Sequence, residues 1–324
     1  MAAVLILTAL EDITADLVIH VLNGRGIPVV RVDPVDIGPD LQFNARIGPD
    51  RQWAGRLRTP SRKVNLEEIT AVYYRRPTPI RFPHLEAFGQ QVHDFAVDEA
   101  KYGFNGLLWH LPNAVYVNPP FSSTRAEFKP AQLQVATQMG FQIPPTIITN
   151  DAAEARKFAF EHAPIVYKTF RGVPPSNDGY YGVIWTQRVD ADCFDDSIAV
   201  TAHMFQAEIP KMADVRLTAI GPQIFAQRIE TPDRALDWRS GDWDDLIHTP
   251  IKVPDTIATA VRSYLDHFDL VFGCFDFALV GDGTSPEHWI WMECNPNGQW
   301  GWLPDADDIA EAFADVLQGG LGSG

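Results

Sequence analysis

Cysteine is scarce in this 324-residue chain: Cys193, Cys274 and Cys294 are its only three, with no C-x-x-C spacing. An odd, unclustered set excludes a disulfide framework and a cysteine-type zinc finger, and it fits the reduced thiols of a cytoplasmic protein of bacterial type. Basic residues are also in deficit, with 26 Lys and Arg against 42 Asp and Glu, a formal net charge of −16. Such a field repels nucleic-acid phosphates, so no nucleic-acid partner is expected, and a basic peptide suits it better. Long apolar runs are missing too. Met1 to Leu10 is short, has no basic flank and runs into Glu11 and Asp12, so it reads as a buried strand rather than a signal peptide. No stretch approaches the roughly 20 apolar residues of a membrane span. What is present is core-forming material: 46% of residues are apolar and 11% aromatic, enough at this length for two or three lobes around one cleft.

The chain opens as β-α-β, with strands over Val4 to Leu7 and Ile27 to Val32 flanking a helix from Asp16 to Asn23. A strand over Ala71 to Arg75, a helical segment from His84 to Trp109 and Val115-Tyr116-Val117 complete the first region, which ends at Asn118-Pro119-Pro120. The pattern then predicts a helix from Ala126 to Met139, a strand from Thr146 to Thr149, and a helix from Asp151 to Phe160 capped by Asn150. The strand Ile165 to Lys168 leads into a Pro- and Gly-containing flap, Thr169 to Tyr181, and Phe205 to Lys211 reads as an extended hinge. Beyond it, Val215 to Ile220, Ile224 to Ile229, Phe272 to Val280 and Trp289 to Asn295 form an antiparallel sheet with hairpin turns at Gly221-Pro222 and Gly281-Asp282-Gly283, crossed by a helix from Ile257 to Phe268.

The chemistry concentrates in those last strands. Strand side chains alternate, so Glu293 and Asn295 share a face while Cys294 points away, and hairpin pairing brings Asp276 beside them in an all-oxygen pocket of the kind Mg²⁺ accepts. Three such residues alone better suit solvated carboxylates before an ordinary Asn-Pro turn. Their neighbours Phe275, Phe277, Ile290 and Met292 make both strands central, where acidic groups are costly unless paired or metal-bound. Asp214, Arg216 and Arg228 place charge on adjacent strands, either as an anion-binding fork or as a structural ion pair. Lys168 at its strand end and Lys129 on the preceding helix supply positive charge for phosphates, and Gln206 and Glu208 lie in the hinge.

This order of parts resembles the ATP-grasp superfamily. More narrowly, Phe205 to Lys211, Asp214-Val215-Arg216, Asp237-Trp238-Arg239 and Met292 to Trp300 resemble the ligases that mature microviridin-type ribosomal peptides, the graspetides. The resemblance implies a mixed α/β (α+β) ATP-grasp fold: an N-terminal pre-ATP-grasp α/β domain over 1–120, a central small α/β lobe with flap and hairpin over 121–207, a mainly antiparallel C-terminal sheet lobe with the metal site over 208–318, and a flexible tail over 319–324. It implies ATP and Mg²⁺ as cofactors, with Lys129 and Lys168 on the phosphates, Gln206 and Glu208 on the hinge side of the nucleotide, and Asp276, Glu293 and Asn295 on magnesium. Arg216 and Arg239 face the acyl phosphate or the substrate carboxylate, and Asp214 either orients Arg216 or acts as base for the incoming hydroxyl.

The activity implied is activation of Glu or Asp side chains of a precursor peptide as acyl phosphates, then closure of ester or amide rings with Thr, Ser or Lys. The partners implied are that leader-plus-core peptide and a second copy of the chain as homodimer, with Asp192, Asp195 and Asp196 as contacts for a basic leader residue or simply a solvated hairpin. Two other functions share these residues: an ATP-grasp ligase adding glutamate or another amino acid to a protein tail, and a nucleotide-binding scaffold without turnover.

Overall fold

The computed structural model describes residues 2–49, 52–111, 113–172, 182–232 and 235–319. The apolar run near the N-terminus forms β1 (Ala3–Leu7), buried along its whole length. Helix α1 (Ile13–Gly24) follows, capped by Asp12, whose carboxylate accepts from the Ala15 N–H. Next come β2 (Val29–Val32), then β3 (Gln42–Ile47), β4 (Trp53–Arg58) and β5 (Lys63–Asn65), a three-stranded antiparallel meander with no counterpart in the sequence reading, and β6 (Ile69–Tyr74). The segment read as helical is so almost throughout, though not as one α-helix: a 3₁₀ stretch (Pro83–Phe88), α2 (Gln90–Glu99), a π-type stretch (Ala100–Asn105) and the short α3 (Gly106–Leu108) precede β7 (Val115–Val117). Strands β2-β1-β6-β7 form a parallel sheet in that order.

The predicted helix over 126–139 is two helices, α4 (Pro120–Ala126) and α5 (Lys129–Gln138), because Phe128 is extended and Pro130 begins a new helix instead of continuing one. The break places Lys129 at a helix start. After β8 (Thr146–Thr149), helix α6 (Ala152–His162) is capped by Asp151 rather than Asn150; the Asp151 carboxylate accepts from the N–H groups of Ala153 and Glu154, where a negative charge also suits the helix dipole. Strands β9 (Ile165–Lys168), β10 (Gln187–Val189) and β11 (His203–Ala207) pair with β8 in the order β10-β9-β11-β8. The segment read as a hinge therefore contributes its first three residues to a strand, and only 208–212 link the lobes. The flap predicted at 169–181 lies, from 173 onward, outside the described residues, as does the tail from 320; Gly319 ends the last helix.

The C-terminal sheet runs β14-β13-β12-β15-β16, built from β12 (Ala213–Ile220), β13 (Gln223–Glu230), β14 (Ile247–Pro250), β15 (Phe272–Leu279) and β16 (Trp289–Asn295), all antiparallel. Helix α7 (Asp255–Phe268) covers one face through Val261, Tyr264, Leu265 and Phe268, which pack with Phe275, Phe277, Trp289 and Trp291. Helix α8 (Ala306–Gly319), unforeseen, places Ile309, Phe313 and Leu317 in a core shared by Val4 and Ile6 of β1, α1, and Ile220 and Phe272 of the C-terminal sheet. One hydrophobic cluster thus locks the first and last parts of the chain together, and holds the parallel sheet against the strands that carry the acidic residues.

Candidate active site

The register of the C-terminal sheet decides the site. Arg216 pairs across β12 and β15 with Asp276, and Asp276 pairs across β15 and β16 with Glu293, so the three side chains lie in one row on one face. Arg216 Nη1 donates to Asp276 Oδ1 at 2.8 Å and Nη2 donates to the Gln299 carbonyl at 2.8 Å. The Asn295 amide lies 3.5 Å from Asp276 Oδ2 and 3.4 Å from Glu293 Oε1. The predicted oxygen trio is assembled. From the preceding lobe, Lys129 Nζ donates to Glu293 Oε2 at 2.6 Å, and Arg239 Nη1 stands 3.6 Å from Glu293 Oε1 while its fork grips Asp237 at 2.9 and 3.0 Å.

Charge density sets the protonation states. Burial alone would raise the Glu293 carboxyl, yet Lys129, Arg239 and Lys168 together hold it well below the usual carboxylate range. Burial raises Asp276, with Arg216 opposing and Glu293 reinforcing the shift. Burial pulls the Lys168 ammonium down to about 8; the Glu293 charge opposes this, and Lys129 adds to it. The donor set is two carboxylates and one amide, all hard oxygen ligands, which fits a magnesium ion sharing its shell with phosphates and water. Among the described residues no cluster of three or more His, Cys, Asp or Glu side chains is placed to hold a metal.

Lys168 and Glu208 line a cavity of about 70 Å³ with Val166, Ile209, Ala278 and Met292. Beside it, the Gln206 amide donates to Thr146 Oγ1 at 2.9 Å, while its Oε1 is buried without a partner near Lys129, Lys168 and Met292. An orphaned buried acceptor among Leu133, Met204, Trp291 and Met292 fits the amino edge of a nucleobase, with Lys129 and Lys168 at the same slot. The Ala207 and Glu208 N–H groups donate to the Pro145 and Pro164 carbonyls, so these two hinge donors are committed to the protein. The Glu208 carboxylate is held by the Arg188 fork at 2.6 and 2.8 Å.

A larger cavity of about 720 Å³ opens on the other side of Glu293, lined by the ends of the parallel sheet, α4, 169–172, 182–185 and 293–297. Among the described residues its charged lining is Arg75, Arg76, Lys129, Arg171 and Arg239 against Glu127 and Glu293, five cations to two carboxylates. The overall net charge of −16 therefore misleads about this surface: the cavity suits an acidic ligand.

The fold matches known proteins. Residues 3–123 match the family model of the MvdD pre-ATP grasp domain. A RiPP-associated ATP-grasp ligase of Chryseobacterium gregarium, solved with ADP and a leader and core peptide, superposes with a TM-score of 0.87 at 26% identity, covering 98% of this chain and 97% of that one. The macrocyclase MdnC of Microcystis aeruginosa, solved with precursor peptide MdnA, gives 0.83 at 26% identity over 98% and 99% of the two chains. MdnB of the same organism gives 0.77 at 25% identity over 98% and 99%. Along nearly its whole length this chain is similar to RiPP-associated ATP-grasp ligases. Comparison with curated proteins gives no match.

Two expectations of the sequence need correction within this ATP-grasp site. Asp214 does not orient Arg216. It lies opposite Ala278 and is taken by Lys211, whose Nζ donates to both its oxygens at 2.8 and 2.7 Å, because Lys211 sits three residues before it where the chain enters β12. Burial raises Asp214 to about 6 against the pull of Lys211. Arg228 pairs across the strands with Val215, on the face away from Arg216, and donates to Glu230 at 2.8 Å. Asp192, Asp195 and Asp196 are exposed, and Asp195 caps a short 3₁₀ helix by accepting from the Ser197 N–H at 2.9 Å.

Sequence reasoning also missed Lys211, Asp237 as the partner of Arg239, Arg75, Arg76 and Gln132. The last donates to the Ala126 and Cys294 carbonyls and accepts from the Cys294 N–H, so it pins the edge strand that carries Glu293. The Lys211-x-x-Asp214 spacing and an Arg pair at the end of a strand were visible signals; Gln132 offered none.

Proposed function

We propose that this chain is an ATP-dependent, ADP-forming ligase that activates Glu or Asp side chains of a ribosomally made precursor peptide and closes ester or amide rings. The observation that carries this reading is the row Arg216, Asp276, Glu293 with Asn295, facing Lys129, Lys168 and Arg239 at the edge of a cationic cavity. The relatives solved with ADP and with leader and core or precursor peptides support the nucleotide and the peptide.

Asp276, Glu293 and Asn295 hold Mg²⁺ in this reading, and the ion supplies neutralisation of phosphate charge. Lys129 and Lys168 bind phosphate oxygens; Gln206 and Glu208 bind the base and ribose side. A substrate carboxylate oxygen forms a bond to the γ-phosphorus and the bond to ADP breaks. Arg216 and Arg239 offset the charge on the transferring group and then on the acyl phosphate. A hydroxyl oxygen or amine nitrogen next bonds to the acyl carbon, inorganic phosphate leaves, and the nucleophile's proton passes to a base. Asp214, with its raised pKa and its place along the same strand, is the base we assign. The lobes exclude water that would hydrolyse the acyl phosphate.

The leader contacts Asp192, Asp195 and Asp196, whose exposure leaves them free for a basic residue. Residues of α2 and its flanks, Phe88, Phe95 and Tyr102, are exposed apolar groups that suit a homodimer. Unpaired Cys193, Cys274 and Cys294 fit a cytoplasmic setting, and no helix among the described residues is long and apolar enough to cross a membrane.

Incubation with ATP, Mg²⁺ and a precursor rich in Thr/Ser and Glu/Asp tests the reading by mass spectrometry. Loss of one water mass per ring, with matching ADP release, is expected. Gain of residue masses indicates the tail-adding ligase instead, and absence of peptide-dependent phosphate release indicates a scaffold.

A further inference from the structure

We propose that Arg76, backed by Arg75, forms a carboxylate-binding subsite in the N-terminal wall of the 720 Å³ cavity, where it holds an acidic side chain of the peptide that is not the one reacting. The inference rests on the ligase reading above and adds a specificity element to it.

In the parallel sheet, β1 lies between β2 and β6, so the chain leaves β1 to one side and reaches its other neighbour from the opposite side. Open parallel sheets receive ligands at the carboxyl ends of the strands beside such a switch point. The residues there are Thr8, Asp12, Arg75 and Arg76. Asp12 is already engaged: it accepts from Thr8 Oγ1 at 2.8 Å, caps α1 through the Ala15 N–H at 3.2 Å, and stands 3.5 Å from Arg75 Nε. Arg75 is 1% exposed and donates from one Nη to the Asn297 carbonyl, while its Nε and its other Nη have no hydrogen-bond partner. A buried guanidinium beside one carboxylate, with hydrogen-bonding capacity left at Nε and one Nη, can take a second anion from the cavity side.

Arg76 is the uncommitted cation. Of the charged residues described along the cavity, Lys129 holds Glu293, Arg171 holds Glu127 at 3.2 Å and Arg239 holds Asp237, whereas the Arg76 guanidinium has neither a hydrogen bond nor an ion pair to a described residue. Arg75 and Arg216 repel it and Asp12 attracts it. Its backbone is nevertheless fixed: the Ala9 N–H donates to its carbonyl at 3.0 Å, and two residues on, Thr78 donates from N and Oγ1 to Asp33 at 2.9 and 2.5 Å. A planar fork on a fixed strand end, facing a cavity with surplus positive charge, matches a carboxylate bidentately. A peptide with several acidic residues then places one on Arg76 while another reaches the row at Arg216 and Glu293.

The test uses fluorescein-labelled pentaglutamate and its pentaglutamine counterpart, titrated with the full chain in ADP and Mg²⁺ at fixed ionic strength, and followed by anisotropy. Wild type should prefer pentaglutamate. Arg76→Ala should weaken that affinity about tenfold, Arg76→Lys less, and Arg76→Glu should erase the preference, with pentaglutamine binding unmoved. ADP affinity, followed with a fluorescent ADP analogue, should stay the same in all variants. A wild type without the preference, or Arg76→Ala and Arg76→Glu variants that retain it, would overturn the subsite and leave the ligase reading standing. Failure of the wild type to bind ADP would overturn the ligase reading and the subsite with it.

Discussion

Lys129 and Glu293, 164 positions apart, meet at 2.6 Å between the first residue of α5 and the middle of the edge strand β16. The proposed function sends Lys129 to phosphate and Glu293 to magnesium, so binding of nucleotide and metal together would separate the pair. Glu293 also faces Arg239 and Lys168.

Glu293→Gln is therefore expected to abolish peptide-dependent ADP release and to lower stability by about 3 kcal/mol, because three cations lose their common counter-charge. The Glu293 pKa is depressed below 4.5, so its contribution to stability is present above pH 4.5 and is lost as pH falls through the folded value. Wild type and variant should accordingly converge in thermal midpoint on acidification below pH 4.5; a constant gap would contradict the assignment.

Lys168 gives a signature at the alkaline end. Its folded pKa of about 8 lies below the unfolded 10.5, so the unfolded chain binds more protons between those values and stability rises with pH across that window. Phosphates restore the ammonium, so ADP binding at pH 9 should take up protons and weaken as pH rises past 8. Calorimetry in two buffers of different ionisation enthalpy measures that uptake, and Lys168→Met should remove it.

Arg188 on β10 and Glu208 on the interlobe link are joined by two hydrogen bonds beside a cavity of about 70 Å³. Ligand pockets run to roughly 300–1,000 Å³, so a nucleotide requires the lobes to part there. Arg188→Ala should raise the association rate of ADP in stopped-flow fluorescence. An unchanged rate would show that the pair does not restrain opening.

Gly298 sits under the clamp formed by Arg75 on Asn297 and Arg216 on Gln299. A Cβ there would lie 2.6 Å from Cys274 Sγ and 3.0 Å from Arg216 Nη2, so Gly298→Ala must displace the arginine or the strand beneath it. A loss of about 1–3 kcal/mol and a fall in turnover larger than the fall in ADP affinity are expected from denaturation and steady-state kinetics.

The alternation of β15 and β16 was legible without coordinates. It put Glu293 and Asn295 on one face and set Asp276 among buried neighbours, since a period of two and a run of large apolar residues are local properties of the chain. The hinge was legible only in part: the strand character of Phe205 to Ala207 depends on pairing with β8 and β9, which no local pattern records. The meander β3–β5 is short and largely exposed, so its periodicity was weak.

Residue order by itself determined which side chains carry charge, that the Asp276 strand is central, and that oxygen-bearing side chains gather near the C-terminal end of the chain; it misplaced the Glu293 strand, which read as central from its apolar neighbours and is the sheet edge, buried by packing rather than by a second strand. Tertiary structure alone decided the partners: Arg216 with Asp276, Asp214 with Lys211, Lys129 with Glu293, and Arg76 with none among the described residues. Side-chain pairing across strands and lobes follows from register and from the packing of α8 between the first and last sheets, and those relations join residues that sequence proximity never brings together.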